Sequence, residues 1–85
     1  MEEEKRRRIN ICVWAWAYEK YATSLVPDAK WDETALLIHP AQSTDDKILD
    51  KFFLEDFVPY TGQWIYRHPE LPKVDGLVRY LMRGI

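Results

Sequence analysis

Five prolines divide this sequence into short segments, and their positions restrict the fold more than any other feature. A proline has no backbone N–H to donate, and it pushes the preceding residue away from helical geometry. Pro27 and Pro40 should therefore end two segments, and Pro59 should begin a turn. Pro69 and Pro72 leave little room for a sheet in the second half of the chain. The sequence predicts an all-α fold, or nearly so.

Two helices are predicted in the first half. Residues 14–17 alternate as in a strand, but apolar residues from Ile9 to Leu25 recur at helical spacing. Because the segment is long, we predict a helix over residues 4–23. A second helix is predicted over residues 29–38, with Asp28 as its N-terminal cap. Its apolar face consists of Trp31, Ala35 and Ile38.

Two further helices are predicted in the second half. One begins at Ser43 or Thr44 and directs a row of apolar residues inward. These residues are Ile48, Leu49, Phe52, Phe53 and Phe57. After a turn in which Gly62 permits a positive φ, Gln63 to Arg67 is compatible with a short extended piece. The last helix has the clearest amphipathic pattern, Val74, Leu77, Val78 and Leu81, with Gly84 as a C-terminal cap.

Length and charge narrow the class of protein. At 85 residues the chain is long enough for one hydrophobic core, so we predict a single domain over residues 1–85. Its 12 basic and 14 acidic residues give a net charge of -2, which argues against nucleic acid as a partner. The basic run Lys5 to Arg8 follows the acidic run Glu2 to Glu4. We interpret it as a solvated helical turn or frayed end, with a nucleic-acid-binding arm as the alternative.

Cysteine content and hydropathy indicate a soluble cytoplasmic protein. Cys12 has no partner for an internal disulfide, and no signal-peptide pattern precedes it. The apolar run from Ile11 to Tyr18 is far shorter than the ~20 residues that cross a bilayer, so no membrane span is expected. His39 and His68 show no close metal-ligand spacing with Cys12. We therefore predict no metal site.

One constellation of residues carries functional information. Trp16-Ala17-Tyr18-Glu19-Lys20-Tyr21 is followed, after a short loop, by Pro27-Asp28-Ala29-Lys30-Trp31-Asp32. This arrangement resembles the small N-terminal Ia domain of NAD-dependent DNA ligases, over about residues 7–38. The resemblance implies a helical hairpin with two further helices packed beside it. In the ligases this domain closes over the nicotinamide mononucleotide half of NAD during enzyme adenylylation.

The resemblance also implies a set of site residues. Tyr18 matches the tyrosine that contacts the nicotinamide ring, Asp28 and Asp32 match the two motif aspartates, and Trp31 replaces the motif tyrosine. Aromatic faces and carboxylates both favour a cationic ring, so NAD or nicotinamide mononucleotide is the candidate ligand. The same residues also suit an inherited scaffold, in which Asp28 caps a helix and Trp31 lies in the core.

Two departures from the ligase pattern bear on the ligand. Glu19 stands where the family usually has His, and Lys30 where it has Glu. A carboxylate at position 19 should weaken binding of the mononucleotide by repulsion.

We therefore expect a non-catalytic binding module with weak affinity for a nicotinamide nucleotide. Lys73-Val74-Asp75-Gly76 matches the pattern around the adenylylated lysine of DNA ligases, but the chain is too short for the catalytic domain that contains this lysine. No catalytic residue is therefore predicted. The alternative is a protein-interaction module or an accessory protein of a phage or mobile element. Its partner would bind an aromatic patch formed by Tyr60, Trp64 and Tyr66, provided that these side chains are exposed.

Overall fold

The computed structural model describes residues 2 to 83, and over that range it consists of helices joined by loops. The elements are α1 (Glu2–Tyr21), α2 (Asp28–Leu37), α3 (Lys47–Glu55), a 3-10 helix (Gln63–Arg67) and α4 (Leu71–Met82). Residues 2 to 83 contain no strand. The predicted all-α fold is confirmed.

Helix α1 is the central element, and it packs against α2, α4 and the 3-10 helix. Every residue from Ile11 to Ala17 is buried except Trp14, which is partly buried. A helix that is apolar on all sides needs neighbours on all sides, and α1 has them. The alternating pattern at residues 14–17 therefore reflects a buried helix rather than a strand.

The start of α1 differs from the prediction of a solvated turn. Arg8 is fully buried and Glu4 is 2% exposed. Arg8 Nε donates to Glu4 Oε2 at 2.8 Å, and Nη1 donates to Asp50 Oδ1 at 2.8 Å. Nη2 donates to the carbonyl oxygens of His39 and Gln42. The solvated-turn interpretation is wrong for Glu4 and Arg8, because they pair with each other in the interior, Arg8 also pairs with Asp50, and Glu4 accepts the His39 amide.

Helix α2 begins one residue earlier than predicted, and the predicted cap is wrong. Pro27 occupies the N-cap position with extended backbone, and no side chain caps this end. The Pro27 carbonyl accepts the amides of Lys30 and Trp31. Asp28 is therefore the first helical residue. Its carboxylate lies at the positive end of the helix dipole.

Helix α3 begins later than predicted. Asp46 is its cap, and Asp46 Oδ1 accepts the amide of Leu49 at 3.1 Å. Thr44, one of the predicted starting residues, instead donates its hydroxyl to Asp50 Oδ1 at 2.6 Å. Leu49, Phe52, Phe53 and Phe57 are buried as predicted. Ile48 is 54% exposed, so its predicted inward position is wrong.

The segment after Pro59 differs most from the prediction. Gln63 to Arg67 forms a 3-10 helix rather than an extended piece, and Gly62 has a negative φ of -105°. Trp64 is buried among aromatic rings, namely those of Phe52, Phe53 and Phe57. A protein-binding patch that includes Trp64 is therefore excluded.

Helix α4 confirms the last predicted helix but not all of its apolar face. Val74 and Val78 are buried, whereas Leu77 and Leu81 are about half exposed. The helix begins at Leu71, with a proline in its first turn. The predicted cap Gly84 lies outside the described residues.

Candidate functional site

Three of the four predicted site residues line one open pocket of about 340 Å³. Tyr18 comes from the last turns of α1, and Asp28 and Trp31 come from the first turn of α2. The volume lies within the range usual for small-ligand sites. Asp32, the fourth residue, is exposed and does not line the pocket. Its assignment stays a prediction.

Aromatic side chains form much of the wall. Trp14 and Tyr18 lie one helical turn apart on α1, and Trp31 faces them from α2. Tyr18 is 63% exposed, so its ring is accessible to a ligand. Trp14 and Trp31 are partly buried and packed against the core, which fixes their orientation.

Gly62 allows the turn after Pro59 to close the pocket. A methyl group at this position would lie 3.3 Å from Ala15 Cβ and 3.5 Å from Trp31 Cη2. The glycine thus favours close approach to α1, where a side chain would be tight against Ala15, and it does not serve a positive φ. It places Thr61 and Gln63 at the pocket wall.

The loop from α1 to α2 supplies the remaining wall and is fixed by local hydrogen bonds. Ala22 has a φ of 51°, which ends α1 in the left-handed region. The Thr23 amide donates to the carbonyl of Ala17 at 3.0 Å. The Ser24 hydroxyl donates to the carbonyl of Val26 at 2.9 Å. These bonds hold the loop beside the aromatic residues.

Both charged residues that line the pocket are acidic. They are Glu19 and Asp28, and no Lys or Arg is found among the described residues of the wall. The polar remainder consists of Ser24, Thr61 and Gln63. Aromatic faces together with carboxylates create a negative environment, which favours a cationic ligand.

Sequence reasoning missed part of this wall. Trp14 could have been found, because it precedes Tyr18 by one helical turn and therefore shares its face. No sequence pattern indicated that the turn at Thr61, Gly62 and Gln63 lines the pocket, because its position depends on how it packs against α1.

The Lys-x-Asp-Gly segment has structural contacts. Lys73 lies in the first turn of α4, where its Nζ is 2.9 Å from Glu70 Oε2. Asp75 accepts the indole N–H of Trp16 at 2.9 Å and the hydroxyl of Tyr21 at 2.6 Å. These bonds lower the pKa of Asp75, and the bond to Asp75 raises the pKa of Tyr21. The aspartate thus joins α4 to α1.

Cys12 and the arrangement of potential metal ligands bear on two other kinds of chemistry. Cys12 is buried in α1, and burial raises the pKa of its thiol, which disfavours the reactive thiolate. Between residues 2 and 83, no group of three or more His, Cys, Asp and Glu side chains is arranged to hold a metal ion.

Comparisons of the chain with protein-family models, curated proteins and solved structures found no match. In the described part of the chain, no helix has both the length and the apolar character that crossing a membrane requires.

Proposed function

We propose that this chain is a non-catalytic binding module whose pocket holds the nicotinamide end of NAD or nicotinamide mononucleotide. The observation that carries the proposal is the convergence of Tyr18, Asp28 and Trp31 on one pocket. The resemblance to the ligase domain Ia predicts these same three residues from the sequence.

The chemistry of the wall supports this ligand. The nicotinamide ring carries a positive charge when it is joined to ribose, so it gains energy by stacking on Tyr18 or Trp31. Asp28 supplies a compensating carboxylate close to these rings. No comparable set of contacts for the adenylate half is found in the wall, so affinity should be weak. We expect a dissociation constant near or above 1 mM, which corresponds to ~4 kcal/mol or less.

A titration with three ligands tests the proposal. Nicotinamide mononucleotide and NAD should shift the indole NMR signals of Trp14 and Trp31, whereas AMP should not. Tyr18→Ala should abolish the shifts, because it removes an accessible wall of the pocket. Tyr80→Ala is the matched control, since Tyr80 is 69% exposed on α4 and does not line the pocket. Equal responses to AMP and the mononucleotide, or binding that persists in Tyr18→Ala, would refute the proposal.

A protein-interaction module is the second candidate. It is favoured by the exposed apolar residues Leu77, Tyr80 and Leu81, which are close in sequence on α4. Tyr80 and Leu81 follow Leu77 by three and four residues and so share a face of the helix with it, and contiguous exposed apolar surface is typical of interaction sites. The same titration separates the candidates, because an absence of any nucleotide binding would leave this one.

A further inference from the structure

The charges around the pocket bear on which part of a nicotinamide nucleotide it can accept. Phosphate groups in proteins are bound by Arg, Lys or clusters of free backbone N–H groups. Neither basic residue type occurs among the described residues of the wall, and both charged residues there, Glu19 and Asp28, are acidic. A phosphate in this pocket would therefore lie near two carboxylates, with no Lys or Arg in the described wall to offset them. Arg67, which lines the neighbouring pocket with Glu19, is paired with Asp56 at 3.4 Å.

The N-terminus of α2 is the feature of the pocket that would favour an anion, since helix N-termini attract negative charge. However, Asp28 is the first residue of that helix and already places a carboxylate there. The amides of Lys30 and Trp31 are engaged by the carbonyl of Pro27. The helix end is thus partly neutralised by the chain itself.

We infer that the pocket selects nicotinamide cations that carry no phosphate, such as nicotinamide riboside, over nicotinamide mononucleotide. This inference rests on the proposed function, because it concerns the same pocket, but it specifies a different class of ligand. The aromatic residues retain the cationic ring, while Glu19 and Asp28 add attraction for the ring and repulsion for a phosphate. A like-charge contact of this kind corresponds to a difference in affinity on the order of tenfold.

The experiment compares the riboside with the mononucleotide on the full chain at low salt. NMR titration should give a dissociation constant about tenfold lower for the riboside. Glu19→Gln should narrow that difference by strengthening mononucleotide binding and weakening riboside binding. Glu33→Gln is the matched control, because Glu33 is an exposed acid on α2 that does not line the pocket. It should leave both constants unchanged, and thermal melts should confirm that both variants fold.

The outcomes separate this inference from the function on which it rests. If the mononucleotide binds as tightly as the riboside or more tightly, and Tyr18→Ala abolishes both, the proposed function survives and the inference is overturned. A riboside preference that Glu19→Gln leaves intact would also overturn it, since the carboxylate would not be the cause. If neither ligand binds, both proposals fail.

Discussion

At the scale of single residues, the Arg8 side chain makes four hydrogen bonds in the interior of the described chain. Its guanidinium contacts two carboxylates and two carbonyl oxygens, and it lies 5.2 Å from the centre of the Phe53 ring. A buried charge is tolerated when its hydrogen bonds are made, and removing one partner leaves the others uncompensated. We therefore expect the loss of Arg8 to be strongly destabilising.

Arg8→Met should lower the free energy of unfolding by about 3 to 5 kcal/mol, because Glu4 and Asp50 would lose their shared cation. Lys5→Met is the matched control. Lys5 pairs at 3.1 Å with Asp45, which is largely exposed, so this change should cost roughly 1 kcal/mol or less. Urea denaturation of both variants measures the difference. Similar losses in the two would contradict the role assigned to Arg8.

Ala22 is strained, since its φ of 51° suits glycine better than a residue with a side chain. Ala22→Gly should raise the free energy of unfolding by about 0.5 to 1 kcal/mol. The glycine relieves the backbone strain, and this gain exceeds the cost of the greater conformational entropy of the unfolded chain. Ala29→Gly, the same change within α2, should lower it. Thermal melts check both signs, and a loss of stability in Ala22→Gly would count against the strain.

At the scale of elements, the N-termini of α2 and α3 are stabilised in different ways. Helix α2 begins after an extended proline, and no side chain caps it, whereas the carboxylate of Asp46 caps α3. Both starts place an acidic residue near the first turn, so composition alone does not distinguish them.

Asp46→Ala should therefore destabilise the protein by roughly 0.5 to 2 kcal/mol, the usual cost of losing a helix cap. Asp28→Ala should cost less than Asp46→Ala, because Asp28 contributes only through the helix dipole. The two chemical denaturation midpoints provide the comparison. The reverse order would show that the caps are wrongly assigned.

The sequence predicted the positions of the helices better than the side-chain contacts between distant segments. Helical spacing located α1 and α4 because the pattern follows from burial of one or more faces. It placed the start of α3 at Ser43 or Thr44, whereas Asp46 caps the helix and the Thr44 hydroxyl bonds to Asp50 instead. It also gave no indication that Glu4 and Arg8 pair with loops over 30 residues away. Such partners depend on tertiary packing.

The part of the candidate site that lies on α1 and α2 could be predicted from the sequence, and the part that comes from the turn after Pro59 could not. Tyr18, Asp28 and Trp31 are close in sequence, and the hairpin of α1 and α2 brings them together. Gly62 and its neighbours enter the pocket from a turn that sequence reasoning could not position. The preference for helix was right for the hairpin, but the geometry of the turn required knowledge of the whole fold.

At the scale of the whole molecule, stability should depend on pH in two ranges. Burial holds the pKa of His68 below its ordinary 6.5, which favours the neutral ring in the folded state. Hydrogen bonds from Thr44 lower the pKa of Asp50, and bonds from Tyr21 and Trp16 lower that of Asp75, both below the ordinary 3.8. All three folded-state values lie below the unfolded ones. Each contribution is therefore complete above the unfolded pKa and is lost as pH falls.

The free energy of unfolding should thus decline below pH 6.5 through His68, and again below pH 3.8 through the two aspartates. Urea titrations between pH 8 and 3, about one pH unit apart, would resolve the two declines. His68→Gln should remove the first and keep the second. A first decline that persists in that variant would assign it to another group.

The hydrogen bonds from Arg8 to the carbonyl oxygens of His39 and Gln42 affect how the loop between α2 and α3 can unfold locally. If the loop between α2 and α3 separated from α1 on its own, the buried Arg8 guanidinium would lose both carbonyl acceptors and the buried Glu4 carboxylate would lose the His39 amide. Local unfolding of the loop alone would therefore have a high free energy. We expect the loop and the start of α1 to unfold together as one cooperative unit. Hydrogen exchange would detect this as the same protection for the Gln42 amide as for the amides in the middle of α1.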